Sequence, residues 1–370
     1  MTGRIDRVCA RLADAGVDAL LVSNLVNVRW LTGFSGSNGW VVLAPEGVAL
    51  VTDGRYGGQA ERQLAEAGVH AEVLVGLSGG EVMQHIARRC GRYARVGFES
   101  SNVTVLGHGQ YVEAFAAEGV PTSLVAVNGV VEAERRTKDA DEIDAIGRAC
   151  AIADRALAEV APMLGDRLTE AQVRNLLDQR MREFGADGPS YDTIVATGPV
   201  HAALPHHAPT HTIIEPGHTV IIDVGALVDG YHSDMTRSFV VGVPSQQQLE
   251  MYELVLAAQL AGVAAVRPGA STIDIDRACR QRIADAGFGD WFTHGTGHGV
   301  GLLIHEDPFL NRVTPGILQV GDVVTVEPGV YHEGFGGIRV EDLVVVTSDG
   351  CRVLTSSPKD SPCPQSPPTT

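Results

Sequence analysis

The chain has 370 residues, 44% of them apolar and 20% charged, with a formal net charge of −17. That is the composition of a soluble globular protein long enough for two domains with a sizeable core. The negative balance repels phosphate backbones and anionic lipid, which speaks against nucleic acid or a membrane surface as a partner. No apolar run approaches the roughly 18 residues of a membrane span. The opening MTGRIDRVCARLADAG interleaves charges and reads as an amphipathic helix, not as the apolar core of a signal peptide. Cys9, Cys90, Cys150, Cys279, Cys351 and Cys363 are scattered, with no C-x-x-C pair. Such usage suits a reducing cytosol, so a cytoplasmic protein is expected.

After the opening helix, DALLVSN reads as a short apolar strand, and WVVLAP and VALVTD as two strands joined at Pro45-Glu46-Gly47. GGQAERQLAEAG is helical, RVGFES is a strand, and residues 106–119 are helical again. Strands alternating with helices predict an α/β domain over residues 1–130, ribonuclease-H-like in type. The glycine-rich GFSGSNG at 33–39 lacks the Lys-Ser/Thr ending and following helix of a phosphate loop, and reads as turns at a strand start. A boundary falls near 128–139, where Asp139 with Glu142 three residues later marks a helix start. The helices DEIDAIGRACAIADRALAEV and TEAQVRNLLDQRMREFG follow, then strands to about residue 243, then a second helix pair and a second set of strands. A second domain therefore covers 131–359. The Pro- and Ser-rich end cannot build a core, and disorder is expected over 360–370.

The second domain repeats itself. Residues 217–225 read G-H-T-V-I-I-D-V-G and residues 321–329 read G-D-V-V-T-V-E-P-G, so that Asp223 answers Glu327. Each is followed by another acid on the next apparent strand, Asp234 in YHSDMTRSFVV and Glu341 in GIRVEDLVVV. This predicts a pseudo-two-fold domain with a curved sheet and four acids meeting near its axis. A carboxylate facing a core is costly unless paired or metal-bound, and four converging carboxylates repel one another. Two divalent ions resolve the conflict by turning like charges into ligands. Strand alternation places Thr325 with Glu327 on one face, and Arg339 with Glu341, so that Arg339 is expected to pair with Glu341.

In THGTGHGVGLLIHEDP, His294 and His298 are four apart, but the interleaved glycines rule out a helical zinc motif. They suggest instead close backbone approach in a loop or strand, with His305 a third histidine in the same run. HAALPHHAPTH holds His201, His206, His207 and His211 in a Pro-rich loop, where His201 and His211 are expected to be solvated and without a role.

The segments IIDVGALVDGYHSDMTRSF, HGTGHGVGLLIHEDP, VVTVEPGVY and GGIRVEDLVVV together resemble the pita-bread metallopeptidases, which include prolidase, aminopeptidase P and methionine aminopeptidase. NVRWLTGFSGSNG and LVTDGRY resemble the creatinase/prolidase-type N-terminal domain, so the likeness reaches nearly the whole chain. It implies an α+β pita-bread catalytic domain and five metal ligands, Asp223, Asp234, His298, Glu327 and Glu341. It also implies two divalent ions, manganese first with cobalt or zinc as alternatives, and a metal-bridged hydroxide. Glu327 would accept and return the proton, His206 and His305 would be the catalytic histidines on the substrate side, and His294 and Arg339 would support the ligands. The implied substrates are short peptides with proline second, and the implied assembly is a homodimer.

Two places depart from the family pattern. TGPVHAALPH has one residue more than the usual G-x-N-x-A-x-P-H, with His201 where Asn is common. Phe309 stands where some prolidases carry an arginine for the dipeptide carboxylate, and Arg312 is the nearby substitute. A general aminopeptidase is the alternative reading. A creatinase-type amidinohydrolase or a non-catalytic peptide-binding relative is disfavoured by the retention of all five ligands.

Overall fold

The structure, a computed structural model, describes residues 2–364. The chain forms two compact units, 1–135 and 136–370. The division lies a few residues beyond the expected one because the short helix Glu132–Arg135 is tied to the first unit: Asn27 Nδ2 donates to Glu132 Oε1 at 2.6 Å, and Arg7 Nε donates to Glu134 Oε2 at 2.9 Å.

The first unit is built on six strands: β1 (Ala19–Val22), β2 (Gly39–Ala44), β3 (Gly47–Asp53), β4 (Glu72–Gly76), β5 (Arg95–Glu99) and β6 (Ser123–Val127). Their order is β4-β3-β2-β1-β5-β6. β2 runs antiparallel to both β1 and β3, with β2 and β3 joined at Pro45-Glu46 as expected, and the β3–β4, β1–β5 and β5–β6 pairings are parallel. Two helices appear where no helical reading was made. Leu25–Thr32 begins where the Asn24 side chain accepts from the Val26 N–H and ends at Gly33, whose φ of 74° closes the last turn. Gly79–Cys90 is capped by Ser78, whose hydroxyl accepts from the Glu81 N–H, and it buries Val82, Ile86 and Cys90 on one face.

The second unit contains the repeat in full. Its helix pairs are Ala140–Val160 with Glu170–Glu183, and Gln246–Ala265 with Thr272–Asp285. Reciprocal capping boxes open three of them, at Asp139 with Glu142, Thr169 with Gln172 and Ser245 with Gln248. In the first half Thr219–Asp223 pairs antiparallel with Thr236–Val240; in the second, Val323–Val326 pairs antiparallel with Asp342–Val346. Single bridges at Thr169–Ile213 and Ser271–Ile317 recur at matching places. Each helix pair packs on its own half-core, the first around Leu157, Leu177 and Ile222, the second around Val255, Ile283 and Val324.

A buried ion network fastens the halves to each other. Arg237, 1% exposed, donates from Nη2 to Asp342 Oδ1 at 2.9 Å, and the Asp342 carboxylate also accepts from Thr355 Oγ1 at 2.9 Å and Gln259 Nε2 at 3.0 Å. Lys359 reaches the same carboxylate. Although burial pushes its pKa up, Arg237 and Lys359 outweigh that and hold Asp342 below the usual carboxylate range.

The chain end differs from expectation. Disorder was expected from residue 360, yet the Val240 N–H donates to the Pro362 carbonyl at 2.8 Å and Pro362 is buried. Proline lacks an N–H but keeps its carbonyl, so it can still satisfy the open edge of Thr236–Val240. The rest of the expected tail, 365–370, lies outside the described residues.

Removing one partner of a buried ion pair leaves the other charge uncompensated. Asp342→Ala is therefore expected to cost about 3–5 kcal/mol in urea unfolding. Arg148→Ala breaks a pair with Asp229 whose side chains are 61% and 67% exposed, and should stay within about 0.5 kcal/mol of wild type.

Candidate metal centre and catalytic pocket

Strand ends deliver the acids. Asp223 closes Thr219–Asp223, Asp234 follows Tyr231–His232, Glu327 follows Val323–Val326, and Glu341 precedes Asp342–Val346. The glycine run lets His298 join them as part of a strand, Gly297–Gly299. A Cβ on Gly297 would lie 2.0 Å from the Thr325 carbonyl oxygen, and one on Gly299 would lie 2.4 Å from that of Asp307. No side chain fits at either position, which is the close approach that the spacing of glycines predicted.

One carboxylate oxygen from each of Asp223, Asp234 and Glu341 lies within 4.8 Å of the others. His298 Nε2 sits 3.5 Å from Asp234 Oδ2 and 3.4 Å from Glu327 Oε1, so all five expected ligands converge. His298 Nδ1 faces its neighbour's carbonyl, Gly299 O, at 3.0 Å. That bond uses the Nδ1 proton and turns the Nε2 lone pair toward the carboxylates. Thr325 Oγ1 accepts from the His298 N–H at 3.0 Å and donates to Glu327 Oε1 at 3.1 Å, joining two of the expected ligands through one hydroxyl.

Arg339 corrects one expectation. It does not pair directly with Glu341. Its Nη2 donates to Asp223 Oδ2 at 2.6 Å, and its Nε donates at 2.9 Å to Thr236 Oγ1, which in turn donates to Glu341 Oε2 at 2.7 Å. The reason is a change of sheet: Gly336–Arg339 pairs with Gly329–His332, whereas Asp342–Val346 pairs with Val323–Val326. Alternation along one strand does not carry across that junction. Arg339 Nη1 also donates to the Tyr331 hydroxyl and to the Pro205 carbonyl, each at 2.9 Å. His294 Nε2 meets the Tyr331 hydroxyl at 2.9 Å, so His294 supports Asp223 through Tyr331 and Arg339.

Tyr191 was not singled out from the sequence. Its hydroxyl reaches Asp223 Oδ1 and, at 2.5 Å, Asp234 Oδ1. Nothing in the surrounding GPSYDT marks it; only the fold brings it to the acids.

His206 and His305 are both exposed and line a cavity of about 580 Å³ whose floor is the acid cluster. Phe309 and Asn311 line it too, whereas Arg312 is exposed and is not part of the wall. A larger depression of about 1060 Å³ lies in the first unit around Arg89 and Tyr93 and is lined by none of these residues. His201, expected to be without a role, is half-buried with Nδ1 2.9 Å from Glu170 Oε1, and His207 Nε2 lies 3.0 Å from Glu170 Oε2. His211 is exposed.

Burial, and then the neighbouring carboxylates, push Asp234 and Glu341 well above the usual carboxylate range. Burial raises Glu327 to about 7 against the pull of Arg339. Burial lowers His298 and His305, and takes His294 down to about 4, so the last is neutral at physiological pH. Three carboxylates that resist ionisation around a common centre are a donor set that lacks its counter-charge. Divalent cations supply that charge, and an imidazole lone pair already points at the same place.

In the metal-free protein these carboxyls bind protons more tightly folded than unfolded, so the fold gains from them at low pH. That gain is lost as pH rises from the ordinary range near 4.5 through about 7 for Glu327. The melting temperature of the chelated protein should therefore fall from about pH 5 to about pH 8, and metal-loaded protein should not show the fall. Parallel pH profiles for the two forms would contradict this account of the cluster.

Residues 144–348 match Metallopeptidase family M24, and residues 4–137 match the Creatinase/Prolidase N-terminal domain. The chain is 38% identical over 359 residues to the uncharacterized peptidase YqhT of Bacillus subtilis (strain 168), covering 96% of this chain and 99% of the relative. Among solved structures it is similar to the Xaa-Pro dipeptidase from Bacillus anthracis, with a TM-score of 0.92 and 35% identity over 97% of this chain and 98% of that one. It is also similar to the X-Pro aminopeptidase from Thermotoga maritima MSB8, with a TM-score of 0.86 and 31% identity over 95% of this chain and 99% of that one. With the acid and histidine centre in place beneath that match, the chain belongs to metallopeptidase family M24 and carries a creatinase/prolidase N-terminal domain ahead of the catalytic one.

Proposed function

We propose that this protein is a metal-dependent Xaa-Pro peptidase, cleaving the bond between an amino-terminal residue and a following proline in dipeptides and short peptides. The observation that carries the reading is the complete five-residue cluster at the floor of a cavity with His206 and His305 at its mouth. The relatives named Xaa-Pro dipeptidase and X-Pro aminopeptidase, similar over nearly the full chain, support it.

Asp223, Asp234, His298, Glu327 and Glu341 would hold two divalent ions, which when bound activate a water and polarise the scissile carbonyl. Four carboxylates and one imidazole, without a thiolate, favour manganese, or an ion of cobalt type, over a structural zinc. Glu327, which lies beside His298 at the same centre, takes a proton from the attacking water and returns it to the departing nitrogen. That return is needed because an amide nitrogen leaves as an amine only when it gains a proton, and for an Xaa-Pro bond the departing group is proline's secondary amine. His206 and His305 donate to the oxygen on which charge develops. Phe309 in the wall offers no cation for a dipeptide carboxylate, which favours acceptance of tripeptides as well. The free cysteines support a cytoplasmic setting, and the family likeness supports a homodimer.

Chelation is expected to abolish hydrolysis and Mn²⁺ to restore it, with Glu341→Gln lowering metal content and turnover together; full activity in verified metal-free protein would overturn the mechanism. His206→Ala should keep both ions and lose about 10²–10⁴ in rate. By kcat/KM, Ala-Pro and Ala-Pro-Ala should be cleaved at least about tenfold faster than Ala-Ala and Ala-Ala-Ala, a gap of ~1.4 kcal/mol at the transition state. Equal rates would leave a general aminopeptidase.

A further inference from the structure

His201 and His207 flank His206 in one loop, and the reaction as described uses neither. Both point at the same buried group. Glu170, the first residue of Glu170–Glu183, is 0% exposed. Its Oε1 accepts from the Thr197 N–H at 2.8 Å and from His201 Nδ1 at 2.9 Å. Its Oε2 accepts from the Thr210 N–H at 2.9 Å, Thr210 Oγ1 at 2.8 Å and His207 Nε2 at 3.0 Å. The two imidazoles stack on each other with centroids 4.2 Å apart and planes 25° apart. The bonds to His207, Thr210 and His201 outweigh burial and hold the Glu170 pKa below its ordinary value, so the group is an anion and each histidine must donate to it.

This carboxylate is not needed to start its own helix, because Thr169 and Gln172 already form the capping box there. What it does is gather donors from both ends of the segment 201–210. That segment forms no regular structure after His201, so side chains rather than a backbone ladder must set its path. A second fastening lies on the other side of His206: the Pro205 carbonyl accepts from Arg339 Nη1, the arginine that also holds Asp223. His206 itself is exposed and makes no side-chain hydrogen bond among the described residues. Its place over the acid cluster is therefore imposed from its two neighbours in the chain, Pro205 tied to the metal-ligand network and His207 tied to Glu170. The histidine at 201, where Asn is common in the family pattern, supplies another of the bonds.

We propose that Glu170 is a positioning residue for His206, acting through His201 and His207, which set the path of the loop at the mouth of the catalytic cavity. The inference rests on the role given to His206 above. A tridentate metal site made of Glu170, His201 and His207 is the competing use of the same atoms, which lie within 4.8 Å of one another. The hydrogen bonds disfavour it. Both carboxylate oxygens are already occupied by Thr donors, and the two imidazoles address different oxygens with their protons, not with their lone pairs.

The test is a double-mutant cycle on the full chain reconstituted with Mn²⁺. Glu170→Gln is expected to lower kcat/KM on Ala-Pro-Ala about 10- to 100-fold, mainly in kcat, as displacement of a single reacting group does. Both ions should be retained, and amide exchange over 201–210 should speed up. In a His206→Ala background the same change should cost less than about twofold, because there is no longer a histidine to misplace. An equal loss in both backgrounds would overturn the positioning role and mark Glu170 as a general structural residue. If Glu170→Gln does not fold, His207→Gln and His201→Asn take its place, with the same coupling to His206 expected and simple additivity overturning it. A third ion per chain that disappears in the His201→Ala, His207→Ala double variant would overturn it in favour of a metal site. If His206→Ala alone leaves turnover intact, the role given to His206 in the reaction fails first, and that result is separate from a loss at His206 that Glu170→Gln does not share.

Discussion

Mutual repulsion of buried carboxylates is the constraint around which the catalytic unit is arranged. Asp223, Asp234, Glu327 and Glu341 come from strand ends in both repeats, and after burial itself their neighbouring carboxylates raise the cost of ionising Asp234, Glu327 and Glu341. A fold that brings them together without compensation would be destabilised by several kcal/mol per unpaired charge. Part of the compensation is supplied by the protein: Arg339 on Asp223, the Tyr191 hydroxyl between Asp223 and Asp234, Thr236 on Glu341 and Thr325 on Glu327. These groups neutralise one charge and orient the remaining oxygens. The rest of the counter-charge has to come from cations, which makes metal affinity a consequence of the fold rather than an addition to it.

Two arginines show how the repeats depend on each other. Arg237, on a strand of the first half, pairs with Asp342 of the second; Arg339, on a strand of the second half, pairs with Asp223 of the first. Arg237, Asp342 and Arg339 are buried and Asp223 is partly so, and each pair crosses the pseudo-two-fold relation. In these two pairs neither half supplies both partners, so one half without the other would leave an arginine and a carboxylate uncompensated. The two pairs differ in what they serve. Arg237 and Asp342 close a network that includes Gln259, Thr355 and Lys359 and does not line the cavity, whereas Arg339 spends one guanidinium nitrogen on Asp223 of the acid cluster and another on the Pro205 carbonyl.

Much of this was readable in the sequence because it obeys short periods. Gly-x-x-Val with an acid at a fixed place, repeated, located Asp223 and Glu327, the acid on each following strand added Asp234 and Glu341, and the glycines around His298 excluded a helix there for a reason that the contacts of Gly297 and Gly299 bear out. The capping box at Asp139 with Glu142 was visible for the same cause: both partners lie within one turn. What escaped was non-local. Tyr191 meets acids far along the chain, and its immediate surroundings carry no pattern. The partner of Arg339 was misread because a strand period holds only within one sheet. The sequence around His201 suggests a solvated residue because its acceptor, Glu170, precedes it by 31 positions. The helices Leu25–Thr32 and Gly79–Cys90 were passed over although each has a side-chain cap, Asn24 and Ser78; eight and twelve residues hold few turns in which an apolar face can declare itself.

The two exposed histidines at the cavity mouth pose the same mechanical problem and meet it in the same way. An exposed side chain on a loop gains little from its own contacts, yet the proposed reaction asks each of them to act on one oxygen of a substrate, which requires placement within a fraction of an ångström. For His206 the adjoining residue, His207, is tied to buried Glu170. For His305 the adjoining residue is Glu306, which is itself buried and accepts from Lys138 Nζ at 2.5 Å. A Cβ on Gly301 would come within 2.6 Å of that same Glu306 carboxylate, so the glycine run gives room to the anchor as well as to His298. Ion pairs of this kind add little net stability once desolvation is counted. Their value is directional: a charge that can be satisfied in one place only holds its neighbour in the chain in one place too. The acids at the floor and the histidines at the mouth are thus fixed by separate sets of buried charges, joined where Arg339 touches both Asp223 and Pro205.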